Sequence, residues 1–502
     1  MCLGTPIVNN FIEVDTIVMP LSNFTSLIPE NQNDSLFIPS GYNFQVIAQR
    51  GDLMSDGNAF PPKFDFTGFV PINQSSTNGY LSINSEYAPG AVSIMDINFD
   101  STTLRWSKSN SSAIDFSPVV GTIANCSGSV TPWNTIITCE EYATSIDSNN
   151  DNYNDTGWAI EINPATRTIV NNEKIWALGN FAHENLVVHP NQRTVYQGAD
   201  SNPGYLFKYV ADMAQNLHSG KLYVYVGSKS GSGNWILLNN TTKVERNTTM
   251  SQAANLGATS FAGIEDVEIS PKDGKVYLAV KGESAVYRFE DSDPLSGTTV
   301  TNFETYVGGS GQTYNLDTQS GIINEPWGTG NDNLAFDNEG NLWVLQDGSK
   351  NFVWLVDTLH TQLNPSVKIF MRTPAGSEPT GLTFSPDNKF MFMSIQHPSG
   401  ANNSSTQQDV NSSNITFEKD VSLIIARNET WGIKPCQENI SLSQSPISSG
   451  TYQSSDNLQA TGQIVSPSKV FFNAKSYMLL NQGFSVDAGA NFTGQIGGCE
   501  NN

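Results

Sequence analysis

Basic residues are scarce in this chain of 502 residues: 25 Lys and Arg stand against 48 Asp and Glu, which gives a formal net charge of −23. Proteins that bind nucleic acid do so largely through basic side chains at the phosphate groups. The composition therefore excludes nucleic acid as a partner. An excess of carboxylates suits a protein that binds several cations, or one that stays soluble through an acidic surface.

Long apolar runs are missing as well. No segment of the sequence is long enough to span a bilayer as a helix, and the residues after Met1 do not have the pattern of a signal peptide. Asn, Ser, Thr and Gly are abundant, whereas Lys is scarce, and this composition is typical of exported proteins. We therefore expect an exported protein whose signal peptide has been removed, without a transmembrane segment.

Cysteine is rare too, and one of the five cysteines stands beside two acids in the stretch TPWNTIITCEEY. A carboxylate neighbour raises the pKa of a thiol and makes it a poorer nucleophile. A metal ion reverses this relation, because it holds a thiolate and carboxylates together. Cys139, followed by Glu140 and Glu141, therefore predicts a metal site, the alternative being a buried and inert thiol. Cys436 and Cys499 bracket the C-terminal segment and are candidates for a disulfide.

Helical periodicity is nearly absent, and most of the chain consists of short apolar runs interrupted by Gly, Asn, Asp and Pro, which predicts an all-β fold. Four segments share one pattern of strand, polar turn and second strand. They are LVVHPNQRTVYQGAD, VEISPKDGKVYLAV, LAFDNEGNLWVLQDG and LTFSPDNKFMFMSIQ. Repeats with this shared spacing favour the blades of a propeller over a β-sandwich with similar hairpins.

An acid recurs just before each of these repeats. The preceding residues are His183-Glu184-Asn185, Ile264-Glu265-Asp266, Asn331-Asp332-Asn333 and the stretch from Ser377 to Gly381, which contains Glu378. Equivalent positions of successive blades surround one central channel, where several carboxylates repel one another unless cations neutralise them. The alternative is that each acid caps its own turn, which is the weaker interpretation for four acids at matched positions.

Two strands further upstream end in the same way. The stretch LSINSEY places Glu86 at a strand end, and IITCEEY places Cys139 and its two acids there. Carboxylates alone suit calcium, whereas an added thiolate indicates a transition metal such as iron. The sequence therefore predicts iron with calcium alongside it.

Several blocks of the sequence resemble the PhoX-type alkaline phosphatases, in the order in which that family has them. The block NCSGSVTPWNTIITCEEY is similar to the family signature NC-G-TPWGTWLTCEE. Similar blocks are LFIPSGYNFQVIAQRGD, YLSINSEY, GNFAHEN, IEDVEISPKDGKVYLAV, NDNLAFDNEGNLWV and EPTGLTFSPDNKFMFMSIQHP. The resemblance extends from about Leu36 to Pro398.

The resemblance implies a six-bladed β-propeller with ferric iron (Fe3+) and calcium (Ca2+) in its channel, and an enzyme that hydrolyses small phosphate monoesters to release inorganic phosphate. It implies that Cys139 ligates iron. The acids that match the family's ligands to iron or calcium are Glu140, Glu265, Asp266, Asp332 and Glu378. Further matches for calcium are Glu86, Glu184 and Asp200. Glu378 and the nearby basic residue Arg372 are the predicted catalytic residues.

The chain is predicted to contain two domains, the propeller at residues 1–434 and a small C-terminal β module at residues 435–502. The module resembles short β-repeats at the C-termini of exported bacterial surface proteins, where it would serve attachment or sorting. We expect a monomer that is secreted, periplasmic or on a bacterial cell surface. Two alternatives are a non-catalytic calcium-binding propeller with an adhesive or structural surface, and a propeller lactonase that uses calcium alone.

Overall fold

The computed structural model describes residues 19–433 and 437–498 of the chain. Cys2, Cys436 and Cys499 lie outside the described residues, so the pairing of the last two stays a prediction. The two cysteines inside the described ranges, Cys126 and Cys139, are both free and buried. None of the helices in the described part of the chain has the length and apolar character needed to cross a membrane.

The described residues fold almost entirely into short β-strands, as the sequence predicts. The first half of the main body contains β1 (Tyr42–Gln49), β2 (Phe64–Pro71), β3 (Asn78–Ser85), β4 (Ala91–Asp100), β5 (Arg105–Ala113), β6 (Asn125–Val130), β7 (Ile136–Glu140), β8 (Ala159–Asn163), β9 (Thr168–Ile169), β10 (His183–Val188), β11 (Thr194–Ala199), β12 (Leu206–Met213), β13 (Asn216–Gly227) and β14 (Gly231–Leu237). The second half contains β15 (Ile264–Ile269), β16 (Val276–Val280), β17 (Ala285–Asp291), β18 (Thr299–Gly308), β19 (Thr313–Thr318), β20 (Gly321–Pro326), β21 (Asn331–Phe336), β22 (Leu342–Gln346), β23 (Phe352–Val356), β24 (Val367–Arg372), β25 (Glu378–Phe384), β26 (Phe390–Gln396), β27 (Gln407–Gln408), β28 (Asn414–Ile415) and β29 (Val421–Arg427).

A few helical turns interrupt these strands. Two short α-helices are consecutive in the chain, α1 (Lys243–Asn247) and α2 (Thr249–Asn255). Single 3-10 turns occupy Ile72–Gln74, Ser117–Val119, Val170–Asn172, Trp176–Leu178, Lys281–Glu283 and Asn428–Trp431.

The strands of the main body form a propeller-like arrangement of antiparallel sheets. Four sheets have four strands each, in the orders β2-β3-β4-β5, β6-β7-β8-β9, β21-β22-β23-β24 and β25-β26-β29-β1. A fifth sheet has nine strands, in the order β10-β11-β12-β13-β14-β18-β17-β16-β15. The N-terminal strand β1 pairs with β29 from the end of the main body. This pairing joins the two ends of the ring.

The first strands of the sheets line the centre of this ring. Strands β2, β6, β10, β15, β21 and β25 each pack against the next, and β25 packs against β2. Apolar clusters fill the spaces between neighbouring sheets, and one of them lies between the two halves of the nine-stranded sheet, where Tyr196 and Leu206 meet Val267 and Leu278. Burial of these faces is the main stabilising contribution to the ring.

Turn residues explain why the four repeated segments become hairpins. Gly274 and Gly340 lie in the turns of two repeats with φ of 70° and 88°, and Asn388 takes φ of 58° in a third. Glycine and asparagine tolerate this left-handed conformation better than other residues. Apolar residues on both sides of each turn are buried between sheets, so each repeat folds as the first two strands of a sheet.

The C-terminal segment has a different architecture. Its strands are β30 (Gln437–Leu442), β31 (Gly450–Ala460), β32 (Gln463–Ile464), β33 (Lys469–Ala474), β34 (Tyr477–Leu480), β35 (Ser485–Val486) and β36 (Asn491–Ile496). They pair in parallel: Thr451 is opposite Phe471, which is in turn opposite Thr493. The segment is therefore solenoid-like, with an apolar core of its own that includes Leu458, Ile464 and Phe472.

The prediction of an all-β chain with a propeller and a C-terminal β module is confirmed at this level. The number of six blades and the boundary between residues 434 and 435 stay predictions.

Candidate metal centre

The six central strands begin at one end of the ring, and each pairs there with the end of the second strand of its hairpin. The first residue of the central strand is opposite the last residue of the second strand in all six cases. The pairs are Phe64–Ser85, Asn125–Glu140, His183–Ala199, Ile264–Val280, Asn331–Gln346 and Glu378–Gln396. Side chains near these pairs therefore lie at the same end of the ring.

Two sets of chemically active side chains follow from this register. The first-strand set consists of the second residue of five central strands and the first residue of β25: Asp65, Cys126, Glu184, Glu265, Asp332 and Glu378. The second-strand set consists of the residue directly after each second strand: Glu86, Glu141, Asp200, Lys281, Asp347 and His397. We call the nine acids of the two sets the carboxylate cluster.

The carboxylates approach one another closely enough to share cations. In each of three groups, one oxygen from every acid lies within 4.8 Å of the others. The groups are Glu141 with Glu184 and Asp200, Glu184 with Glu265 and Asp332, and Asp332 with Asp347 and Glu378. Because neighbouring groups share a residue, the three form one continuous arc of acids.

Burial and mutual repulsion raise the pKa of several of these acids. Burial, followed by the negative charge of Glu86, raises the pKa of Glu141 to about 8. Burial also raises the pKa of Glu378 to about 7, although its contact with His397 lowers it. The pKa values of Asp65, Glu184 and Glu265 lie well above their ordinary values because of burial and the surrounding carboxylates.

Two orphaned oxygen atoms indicate that cations fit this cluster. Oδ1 of Asp65 and Oε2 of Glu141 are buried and have no hydrogen-bond partner among the described residues. An unpaired buried carboxylate oxygen is unfavourable, and a cation is a natural partner for it. Gly263 leaves room beside this arc, because a Cβ there would lie 2.8 Å from Oδ1 of Asp200.

Six of the predicted ligands lie together in this cluster, and one of them is Glu378, which is also a predicted catalytic residue. The other five are Glu86, Glu184, Asp200, Glu265 and Asp332. Glu86 belongs to the cluster because its negative charge raises the pKa of Glu141 and of Asp65. It also lies 3.7 Å from the ammonium of Lys63.

Glu140 is separated from the cluster by an ion pair. Its Oε1 lies 2.6 Å from Nζ of Lys174, and neither side chain is exposed. Its Oε2 accepts a hydrogen bond from the backbone N–H of Trp158. Both oxygens of Glu140 are thus bound within the protein, whereas the next residue, Glu141, lies in the cluster. The ligand role of Glu140 stays a prediction.

The carboxylate of Asp266 also forms hydrogen bonds to other groups of the protein. One of its oxygens accepts a hydrogen bond from the side-chain amide of Asn185, and the other accepts one of 2.7 Å from the backbone N–H of Leu334. These contacts join three consecutive central strands, β10, β15 and β21. The structure assigns Asp266 to holding strands together, although burial raises its pKa to about 7.

The two buried cysteines differ in their distance from the acids of the cluster, and the iron-ligand role of Cys139 stays a prediction. Cys139 lies on the second strand β7, and the pKa of its thiol is raised by burial and by Asp266 and Glu140, neither of which belongs to the cluster. Cys126 lies in the first-strand set, and its Sγ is 3.2 Å from the carbonyl oxygen of His183. Burial, then Glu184 and Glu141, raises the pKa of Cys126. Cys126 is thus the thiol next to the acids.

Arg372 does not lie at the cluster. It ends the outermost strand β24, its guanidinium lies 3.9 Å from the centre of the Phe37 ring, and its Nη1 donates a hydrogen bond of 2.6 Å to Glu30. The basic groups that do reach the cluster are Lys63, which contacts Glu86, and Lys281 and His397. Lys281 contacts Asp332 at 3.0 Å, and His397 contacts Glu378 at 2.8 Å.

Sequence analysis missed Asp65, Cys126, Glu141, Asp347, Lys281 and His397 as site residues. A signal for most of them is present in the repeats. Asp200, Asp347, Lys281 and His397 each come directly after the second strand of a repeated hairpin, so the ends of the hairpins mark the site as clearly as their beginnings.

A comparison with protein-family models shows which family the chain belongs to. The family model of "Alkaline phosphatase PhoX" matches residues 101–399, which is more than half of the chain and includes most of the carboxylate cluster. The chain belongs to the PhoX alkaline phosphatase family. As a PhoX member it is a phosphatase, and the acidic groups described above are where it could hold metal ions.

One solved structure supports the same fold, and a second is reported for comparison only. Pseudomonas fluorescens PhoX, in complex with the transition-state analogue vanadate, has a TM-score of 0.63 and 22% identity, with 81% of this chain and 98% of that chain covered. The periplasmic gluconolactonase PpgL of Pseudomonas aeruginosa is more distant, with a TM-score of 0.37 and 11% identity over 78% of this chain and 99% of that chain. No curated protein matches the chain.

Proposed function

We propose that this PhoX-family chain is an alkaline phosphomonoesterase that hydrolyses small phosphate monoesters at a centre of iron and calcium ions in the channel of a six-bladed propeller. The observation that carries the proposal is the carboxylate cluster at one end of the ring, two members of which have a buried oxygen without a hydrogen-bond partner among the described residues. Membership in a phosphatase family favours this interpretation over a calcium-binding surface protein.

The count of six blades is supported by the nine-stranded sheet. Its strands β10–β13 and β15–β18 each have the four-stranded order of the other sheets, and β14 joins their outer strands. Counting these halves separately gives one blade for each of the six central strands. The boundary at residues 434 and 435 is supported by the separate apolar core of the C-terminal segment.

The proposed ligands are drawn from the carboxylate cluster, together with Cys126. Carboxylate oxygens suit calcium, and a thiolate among them suits iron. Cys126 replaces Cys139 as the proposed iron ligand because it shares its strand position with Asp65 and Glu184. Glu141 replaces Glu140, whose carboxylate is bound to Lys174.

Bound cations in such a cluster supply positive charge that polarises the P–O bonds of a phosphate ester and stabilises the charge that develops on its oxygens. The chain's own residues provide the frame for this chemistry. Rigid central strands fix the acids, and the strand-to-strand bonds of Asp266 fix the strands. Lys281 and His397 add positive charge on the side of Glu378. The acids act as ligands and need not act as general bases.

The setting of the enzyme follows from composition. An exported, bacterial, periplasmic or surface location fits the Asn-, Ser- and Thr-rich sequence, and a role in phosphate acquisition fits an external phosphomonoesterase. The C-terminal solenoid is proposed to serve attachment or sorting. The monomeric state stays a prediction.

Hydrolysis of an aryl phosphate at alkaline pH tests this function. We expect turnover that a calcium chelator abolishes and added calcium restores. Glu184→Gln is expected to lower the rate by about 10²-fold, the scale at which perturbed metal sites lose activity. Glu161→Gln is the matched control, because Glu161 is equally buried but binds Trp133 and Thr135 outside the cluster. No turnover by metal-loaded protein, or equal effects of the two substitutions, would contradict the proposal.

A further inference from the structure

One group of acids in the cluster already contacts basic side chains of the protein. Nζ of Lys281 lies 3.0 Å from Oδ2 of Asp332 and 2.9 Å from Oδ2 of Asp347. Nε2 of His397 lies 2.8 Å from Oε1 of Glu378. Every member of the group formed by Asp332, Asp347 and Glu378 therefore contacts a basic side chain.

The group at the other end of the arc lacks such contacts. Within residues 19–433 and 437–498, no Lys, Arg or His lies within ion-pair distance of Glu141, Glu184 or Asp200. Oε2 of Glu141 has no hydrogen-bond partner there either. The two ends of the arc thus differ in their direct contacts with basic side chains.

Lys281 reaches Asp332 and Asp347 because of its position directly after a second strand. It directly follows β16, which is the position of Asp200 after β11 and of Asp347 after β22. A lysine at this position replaces a carboxylate by a compact ammonium with three N–H donors. Burial alone lowers the pKa of Lys281, but Asp332, Glu265 and Asp347 raise it above its ordinary value, so the ammonium stays charged.

We infer that Lys281 takes the place of a metal ion at the group of Asp332, Asp347 and Glu378, and that divalent cations bind on the side of Glu141, Glu184 and Asp200. The inference rests on the proposed function, because it assumes that the cluster binds cations. As a consequence, the arc of acids is asymmetric: metal ions bind at one end of it, and the ammonium of Lys281 lies at the other.

A calcium titration of metal-free protein tests this inference without any assay of activity. Lys281→Gln is expected to bind one more calcium ion per chain than the unchanged protein, because Asp332 and Asp347 lose their contacts with the ammonium. Lys281→Arg keeps the charge and is expected to keep the original number. Lys275→Gln is the matched control, since Lys275 contacts Glu290 at 3.0 Å at the opposite end of the same hairpin.

A second pair of substitutions does not depend on the folding of Lys281→Gln. Asp200 and Asp347 occupy equivalent positions, so Asp200→Asn is expected to lose one calcium ion and Asp347→Asn none. An equal loss in both variants, or the same number and affinity of calcium sites in Lys281→Gln as in the unchanged protein, would overturn the inference alone. No calcium binding by any of these proteins would overturn the proposed function and the inference with it.

Discussion

The ammonium of Lys174 lies 2.6 Å from the carboxylate of Glu140, and both side chains are fully buried. The next residue, Glu141, belongs instead to the carboxylate cluster, where one of its oxygens lacks a partner. Successive side chains of a strand point in opposite directions. Two adjacent acids therefore have different roles, one in stability and one in the binding of cations.

Substitution of these two neighbours is expected to give opposite results. Glu141→Gln should lower the metal content and reduce the rate by about 10²-fold, with little change in the free energy of unfolding of metal-free protein. Glu140→Gln should keep the metal content but lower that free energy by about 3–5 kcal/mol, because it leaves Lys174 buried without its partner. Elemental analysis and denaturant unfolding measure the two effects, and equal metal loss in both variants would contradict the assignment.

The two buried cysteines provide a second comparison. Cys126→Ser is expected to lower the iron content far more than the calcium content, because a thiolate is the soft ligand among hard oxygen donors. Cys139→Ser is expected to leave both contents unchanged, since its nearest acids, Asp266 and Glu140, lie outside the cluster. Iron loss confined to Cys139→Ser would restore the assignment that the CEE stretch predicts.

The stability of chelated protein should fall as pH rises from 6.5 to 9. Burial raises the pKa of Glu141 to about 8 and that of Glu378 to about 7, and contact with Glu378 raises the pKa of His397 to about 9. In this window the folded chain binds more protons than the unfolded chain, so the free energy of unfolding decreases with pH, by about 1.4 kcal/mol per pH unit for each such proton.

Thermal or denaturant unfolding at several pH values, with and without calcium, measures this dependence. Calcium is expected to flatten the slope above pH 6.5, because cations then replace the protons on the acids. A free energy of unfolding that rises with pH in the chelator would contradict the raised pKa values.

The C-terminal solenoid is expected to be dispensable for catalysis. Its apolar core is formed by its own residues, including Leu458 and Phe472, and the carboxylate cluster contains none of them. A chain that ends at Ile433 should keep its metal content and its rate of hydrolysis within about twofold, as expected for an independently folded unit. Loss of both properties in a truncated chain that remains folded would show that the solenoid completes the site.

The sequence predicts the fold and the position of the site well, because both depend on local patterns. Strand–turn–strand repeats with glycine or asparagine at the turn specify hairpins, and an acid before each repeat marks one end of the channel. What the sequence does not show is which of several nearby acids and thiols lies beside the cluster. Glu140 is withdrawn from the site by Lys174, which is distant in sequence, and Cys139 differs from Cys126 only in lying on a second rather than a first strand. Neither fact is visible before the strands are arranged.

The metal content of active protein tests the central claim most directly. The account predicts that chain purified in its fully active state contains iron and calcium together, and that chelation removes calcium and activity in parallel. Elemental analysis that finds calcium without iron in fully active protein would contradict the mixed centre. Full activity with neither metal bound would contradict the claim that this arc of carboxylates is a metal site.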